Sequence, residues 1–341
     1  MNKAWIDLRS DTVTRPSPEM LSAMTKAELG DDVLDGDPTT RRLEERTAEL
    51  LGLEAALFFP SGTQANQTAI NLIAQPATEI VAEAGSHIFH YEKAGAAALS
   101  GVQIRSVETT DGLLSADLVK GAIREPSPHL PTTAAVSVEN THNAAGGRVM
   151  PLDLMDGIQR AAAERGIPVH IDGARLWNAA TALAVEPSEI AKFGTTVMVC
   201  FSKGLGCPVG SCLVGPKDLI ERAWHVRKRF GGGMRQSGVL TAACLFALDR
   251  NLERLIDDHE GAKLFASRLS THANIEVLEP ETNIVMLDLK NRVAVEAAAL
   301  LAEKGVLLAP FSKNRLRAVT HLDVSELQLL QAADIVGEVL N

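Results

Sequence analysis

Residues 197–210 read Val-Met-Val-Cys-Phe-Ser-Lys-Gly-Leu-Gly-Cys-Pro-Val-Gly. The apolar run 197–201 suits a buried strand, and it stops at Ser202-Lys203-Gly204. A lysine at the end of such a strand admits two readings. One is a stem lying along apolar surface with its ammonium in water. The other is an amine made nucleophilic by desolvation, with the following glycines leaving room for a flat ligand.

A second strand favours the latter. Residues 167–175, Ile-Pro-Val-His-Ile-Asp-Gly-Ala-Arg, carry Asp172 at the C-terminal end of another apolar run. Ligands of open α/β sheets sit outside the carboxyl ends of the strands. Lys203 and Asp172 on two such ends are the pair that pyridoxal 5'-phosphate requires. The lysine holds the aldehyde, and the aspartate keeps the ring nitrogen protonated so that the ring can absorb electrons.

At 341 residues the chain is long enough for two domains sharing a sizeable core. Its 33 basic and 43 acidic residues, net −10, argue against nucleic acid as a partner. No apolar run reaches the roughly 18 residues of a membrane span, and residues 1–11 lack the apolar core of a signal peptide. The expectation is a cytoplasmic protein. Cys200, Cys207, Cys212 and Cys244 have no C-x-x-C spacing and are expected to be buried free thiols rather than metal ligands. His87/His90 and His170/Asp172 have metal-like spacings, but no third and fourth ligands accompany them, so no metal is expected.

Residues 1–18 form a charged arm in which Pro16 and Pro18 are expected to break any helix. Asp37-Pro38 opens a helix that Gly52 closes. After an apolar strand at 55–59, Pro60-Ser61-Gly62-Thr63-Gln64-Ala65-Asn66 leads into a helix whose free N–H groups suit a phosphate. Strands are expected at 79–83, 102–107, 134–139, 167–172, 196–201 and 210–215, with helices at 151–165 and 216–230 among them. A long helical stretch, 236–271, follows. Strands at 284–289 and 316–321 flank a helix at 293–304, and Ser325 with Gln328 opens a last helix. The expected fold is α/β, with a mostly parallel seven-stranded sheet in a large domain and a small α+β C-terminal domain. The expected division is an arm at 1–18, a large cofactor-binding domain at 19–248 and a small domain at 249–341.

The chain resembles the L-threonine aldolases of the low-specificity type, pyridoxal-phosphate enzymes of fold type I. The resemblance rests on Asp-Leu-Arg-Ser-Asp-Thr-Val-Thr (7–14), Gly-Asp-Asp-Val (30–33), Pro-Ser-Gly-Thr-Gln-Ala-Asn (60–66) and Glu-Asn-Thr-His-Asn (139–143). It continues through His-Ile-Asp-Gly-Ala-Arg (170–175), Ser-Lys-Gly-Leu (202–205), Gly-Gly-Gly-Met-Arg-Gln (231–236) and Val-Thr-His (319–321). It implies cleavage of threonine or allo-threonine, and of other β-hydroxy-α-amino acids, to glycine and an aldehyde. It also implies a homotetramer, a dimer of dimers with active sites at the subunit interface.

By the same resemblance, Lys203 carries the cofactor and Asp172 meets its ring nitrogen. Gly62 and Thr63 hold its phosphate, His87 lies against its ring, and Arg235 serves the phosphate or a partner subunit. Ser10, Arg175 and Arg317 hold the substrate carboxylate. His87, His129 or a water held by either is the expected base, with His129 telling the Cβ epimers apart. Two departures stand out: Thr132 replaces an expected arginine after His129, and His90 replaces an aromatic before Tyr91.

Rival readings remain. Gly204-x-Gly206-x-x-x-Gly210 faintly matches a dinucleotide fingerprint, but Pro208 spoils the helix that it needs. A transaminase or desulfurase of the same fold is nearer, and a non-catalytic binding protein is remote.

Overall fold

A computed structural model describes residues 5–340. Its strands are β1 (Ile6–Asp7), β2 (Ala55–Phe59), β3 (Glu79–Glu83), β4 (Gln103–Val107), β5 (Thr133–Glu139), β6 (Val169–Gly173), β7 (Thr196–Cys200) and β8 (Ser211–Gly215). They continue with β9 (Ile275–Leu278), β10 (Ile284–Leu289), β11 (Val306–Leu307), β12 (Ala309–Pro310) and β13 (Arg315–Val319).

Seven strands form the main sheet in the order β2-β8-β7-β6-β5-β3-β4. Only β8 runs against the others: it is antiparallel to both β2 and β7, and the remaining pairs are parallel. Strands β3, β6, β7 and β8 are buried along their whole length, as a sheet covered on both faces requires. The edge strand β4 instead presents Gln103 and Ser106 to solvent, which blunts its capacity to pair further. Phe58, Phe201 and Trp177 anchor the apolar layer beneath the sheet, the latter two with ring centroids 6.2 Å apart.

The second sheet, β12-β13-β10-β9, is antiparallel. Helices Leu255–Leu269, Ala294–Lys304 and Glu326–Leu340 cover it over a core that includes Phe265, Leu287, Leu316 and Val336. The last helix opens as its sequence indicates. Ser325 N–H donates to Gln328 Oε1 at 2.9 Å, and Gln328 N–H returns to Ser325 Oγ at 3.4 Å.

Two expectations change. Pro18 does not break a helix but starts one, Pro18–Thr25, because at the first position its missing N–H costs nothing and Ser17 caps the turn. The stretch 236–271 is two helices, Gly238–Arg250 and Leu255–Leu269, parted at Asn251. The N-terminal arm is tied down: β1 pairs with β11 (Ile6 beside Val306), and Ile6 and Leu8 are buried in the small core.

Candidate active site

The carboxyl ends of β5, β6 and β7 lie side by side, and the chain leaves each towards one cavity. After β7 it turns in a closed loop: Phe201 N–H donates to Gly210 O at 2.9 Å and Gly206 N–H to Lys203 O at 2.9 Å. Gly206 sits at φ +80, where a side chain is disfavoured. Thr14 Oγ1 donates to Lys203 O at 3.0 Å. The lysine backbone is thereby pinned, while its side chain lines a cavity of about 360 Å³ with Ser10, His87, Arg175 and Arg317.

Asp172, at the end of β6, is buried beside this cavity. Its carboxylate accepts from Asn66 Nδ2 at 2.8 Å and from Ala174 N–H at 3.2 Å, leaving lone pairs for a further N–H donor. Asn66 spends its other amide proton on Glu92 Oε1 at 2.9 Å, so its carbonyl must face His170 Nε2, 3.0 Å away. Burial, opposed by Asp172, pushes the His170 pKa down to about 4, so the imidazole is neutral at pH 7. Its Nε2–H therefore donates to Asn66, and Nδ1 accepts from Thr196 Oγ1 at 2.9 Å.

The helix Gly62–Ile73 begins at the same edge, capped by Ser61, whose Oγ accepts from Gln64 N–H at 3.2 Å. Gly62 and Thr63, as its first residues, have no carbonyl one turn back for their N–H groups. A Cβ on Gly62 would come within 2.8 Å of Cys200 Sγ, so the close approach of this turn to β7 requires glycine. Open N–H groups at a helix start, a carboxylate with spare lone pairs and a lysine amine beside them make a donor set that fits pyridoxal phosphate. Arg235 is not brought to the cavity by its own chain. It is exposed and lies 3.3 Å from Asp31 Oδ2.

The opposite wall is cationic. Arg175 is buried and holds Asp11 through two bonds, Nε to Oδ2 at 2.8 Å and Nη2 to Oδ1 at 2.7 Å. Burial alone would raise the Asp11 pKa, but the guanidinium, with Lys203 and Asn283, holds it well below the usual carboxylate range. Arg175 Nη1, which does not touch Asp11, meets Asn143 Oδ1 at 3.3 Å. The same oxygen accepts from Arg317 Nη1 at 2.9 Å, so one asparagine bridges both arginines. Arg317 also donates from Nη2 to Arg9 O at 3.1 Å, while its buried Nε has no partner. Burial, and the Arg175 charge after it, lower the Arg317 pKa, the mark of a cation short of an anion. Ser10 lines the cavity, its Oγ accepting from Thr12 N–H at 3.2 Å.

His87 stands at the start of a short helical turn, its N–H donating to Glu139 Oε2 at 2.7 Å. Nδ1 lies 2.9 Å from Glu92 Oε1, which leaves Nε2 for the cavity. Burial would lower its pKa, but Glu92, Asp172 and Glu139 together raise it.

His129 is not brought to the cavity. It is exposed in the loop before β5, at the end of that strand opposite Glu139, and a seven-residue strand spans about 20 Å. His90 bonds the Ala84 carbonyl at 2.6 Å, and His142 Nδ1 accepts from Ala145 N–H at 3.2 Å, so both order the local chain. His87, Glu92 and Asp172 have ligand atoms within 4.8 Å of one another, a metal-like spacing among the described residues. The Asn66 amide already donates to both carboxylates. Asp11, Glu92, Asn143 and the wall of Tyr91 and Phe311 escape a reading of the sequence. Only Asp11 and Asn143 fall within stretches already singled out.

Lys203 and Asp172 thus sit on the carboxyl ends of two adjacent parallel strands of an open α/β sheet, the arrangement of the fold-type I pyridoxal-phosphate enzymes. The beta-eliminating lyase family profile matches residues 7–292, and the chain belongs to that family. It is 43% identical over 333 residues to the low specificity L-threonine aldolase of Escherichia coli K12, covering 96% of this chain and 97% of that one. It is 43% identical over 329 residues to low-specificity L-threonine aldolase 1 of Arabidopsis thaliana, covering 94% and 92%. The crystal structure of a putative L-allo-threonine aldolase from Listeria monocytogenes superposes with a TM-score of 0.82 at 24% identity, covering 99% of this chain and 96% of that one.

Proposed function

We propose that this lyase cleaves L-threonine, L-allo-threonine and related β-hydroxy-α-amino acids to glycine and an aldehyde. The carrying observation is the cavity itself, in which the Lys203 amine and His87 face Arg317 and its unpartnered Nε. Bound there, pyridoxal phosphate supplies the sink for the electron pair left when the Cα–Cβ bond opens.

Each residue has a part. Lys203 would hold the cofactor by its aldehyde, Gly62 and Thr63 would hold its phosphate, and Asp172 would keep its ring nitrogen protonated. Arg317, with Arg175 Nη1 and Ser10, takes the substrate carboxylate. Holding it turns the Cα–Cβ bond towards the orientation in which it breaks, so the grip selects the reaction. His87 Nε2, or a water on it, accepts the β-hydroxyl proton. A part for His129 or Arg235 needs a second copy of the chain, in keeping with a dimer of dimers whose sites lie at subunit interfaces. A cytoplasmic location completes the reading.

Incubating the purified protein with threonine, allo-threonine and phenylserine, and measuring both glycine and aldehyde, tests the proposal. Pyruvate from alanine in place of glycine would instead mark a transaminase.

Two variants probe the roles. Arg317→Ala should raise KM and lower kcat together, for a loss of about a hundredfold in kcat/KM, since a charge-assisted pair contributes roughly 1.5–3 kcal/mol. Unchanged kinetics would remove Arg317 from the carboxylate grip. Asp172→Asn should keep the cofactor bound, as read by its visible band, while kcat falls by about a hundredfold or more. A near-normal rate would mean that another group protonates the ring.

A further inference from the structure

We propose that Glu92 is a positioning residue of this site. Its buried carboxylate sets in one register the aspartate beneath the cofactor ring nitrogen and the histidine against the ring face. The inference rests on the pyridoxal-phosphate reading above.

The Glu92 side chain is fully buried, where an ionised carboxylate is costly unless its oxygens are occupied. Here they are. Oε1 accepts from Asn66 Nδ2 at 2.9 Å and meets His87 Nδ1 at 2.9 Å, while Oε2 accepts from Gln67 Nε2 at 2.6 Å. Asn66 and Gln67 stand on the helix that opens the phosphate turn, and His87 follows β3. Two segments of the site thus converge on one side chain.

Two couplings follow. The Asn66 amide has two protons, one given to Glu92 and the other to Asp172 at 2.8 Å. Glu92 therefore fixes the plane of that amide, and the amide fixes the Asp172 carboxylate. Independently, accepting from His87 Nδ1 selects the imidazole tautomer with hydrogen on Nδ1. That leaves Nε2 as the nitrogen facing the cavity. A neutral glutamine at position 92 would put its NH2 opposite the Gln67 amide donor, which would have to turn over, and would remove the negative charge that faces His87 Nδ1.

The test uses the holoenzyme. In 15N-histidine spectra of the wild-type protein, with His87→Phe identifying the signal, His87 should carry its hydrogen on Nδ1. Glu92→Gln should shift that signal and weaken cofactor retention by about tenfold. It should lower kcat by roughly ten- to a hundredfold, the range for outer partners of a site. KM should stay within about threefold, because the Arg317 grip does not involve Glu92. The loss of kcat should shrink in the His87→Phe background, where one coupling is already gone.

A wild-type His87 protonated on Nε2 alone would overturn the proposal, and so would a Glu92→Gln enzyme with unchanged kcat and cofactor retention. An equal loss in both backgrounds, with apo and holo proteins melting earlier alike, would also overturn it by marking Glu92 as packing only. Should Glu92→Gln fail to fold, the wild-type tautomer decides. Absence of a visible cofactor band in the wild type would sink the cofactor reading. The Glu92–His87 bond would still be reported separately by the tautomer in the cofactor-free protein.

Discussion

Lys203→Ala is expected to abolish turnover, with kcat falling by at least about a thousandfold, equivalent to roughly 4 kcal/mol of lost barrier reduction. The visible band of the bound cofactor should disappear from the same preparation. Both effects have one cause: among the described residues no other amine lines this cavity to carry the aldehyde. The fold should survive, because the loop is held by backbone bonds from Phe201 to Gly210 and from Gly206 to Lys203 O, which alanine leaves intact. Far-ultraviolet circular dichroism and a urea midpoint near the wild-type value check this. A variant that retained both colour and rate would refute the assignment of Lys203.

Asp11→Ala is expected to have the largest effect on stability, about 3–5 kcal/mol, the usual cost of removing one partner of a buried ion pair. Arg175 would be left charged, buried and without its two carboxylate bonds, and Asn283 Nδ2 would lose its 3.1 Å contact. The urea midpoint at neutral pH measures the loss, and a change below about 1 kcal/mol would show the pair to be replaceable by water.

Acid tests the same pair in the intact protein. The folded-state pKa of Asp11 is depressed, so its stabilisation is fully present above the unfolded value of about 3.9. It is lost as pH falls from there towards the folded pKa. The variant should therefore lose less stability than the wild type over the acid range below about pH 4.

What could be read from the chain in advance follows the range of the interactions. Lys203 and Asp172 close apolar runs, and a strand end is a local property, so both were legible. The Gly62–Thr63 turn was legible for the same reason. The pairing of Arg175 with Asp11 joins residues 164 positions apart, and no local pattern shows that the arginine is already committed. Glu92 lies between Tyr91 and Lys93, where an acidic residue reads as solvated surface; only the fold reveals its burial. Pro18 was misread because a proline breaks a helix interior but starts a helix equally well, and Ser17 before it decides which. Short pairings such as β1 with β11 are too brief to leave a periodic signal.

The pairing of Ile6 with Val306 has a consequence in time. Asp7 O accepts from His321, Arg9 O from Arg317, and Arg15 N–H donates to Asp323, so these early residues find their partners some 300 positions later. At about 5–20 residues per second, some 300 residues of synthesis separate the two ends by roughly 15–60 s. During that interval the main sheet can form around Lys203 and Asp172, but the arginine wall lacks Arg317 and the segment bearing Ser10 and Asp11 lacks its anchor. A nascent chain can thus bring Lys203 and Asp172 together well before Arg317 joins Asn143 and the Arg9 carbonyl at the opposite wall.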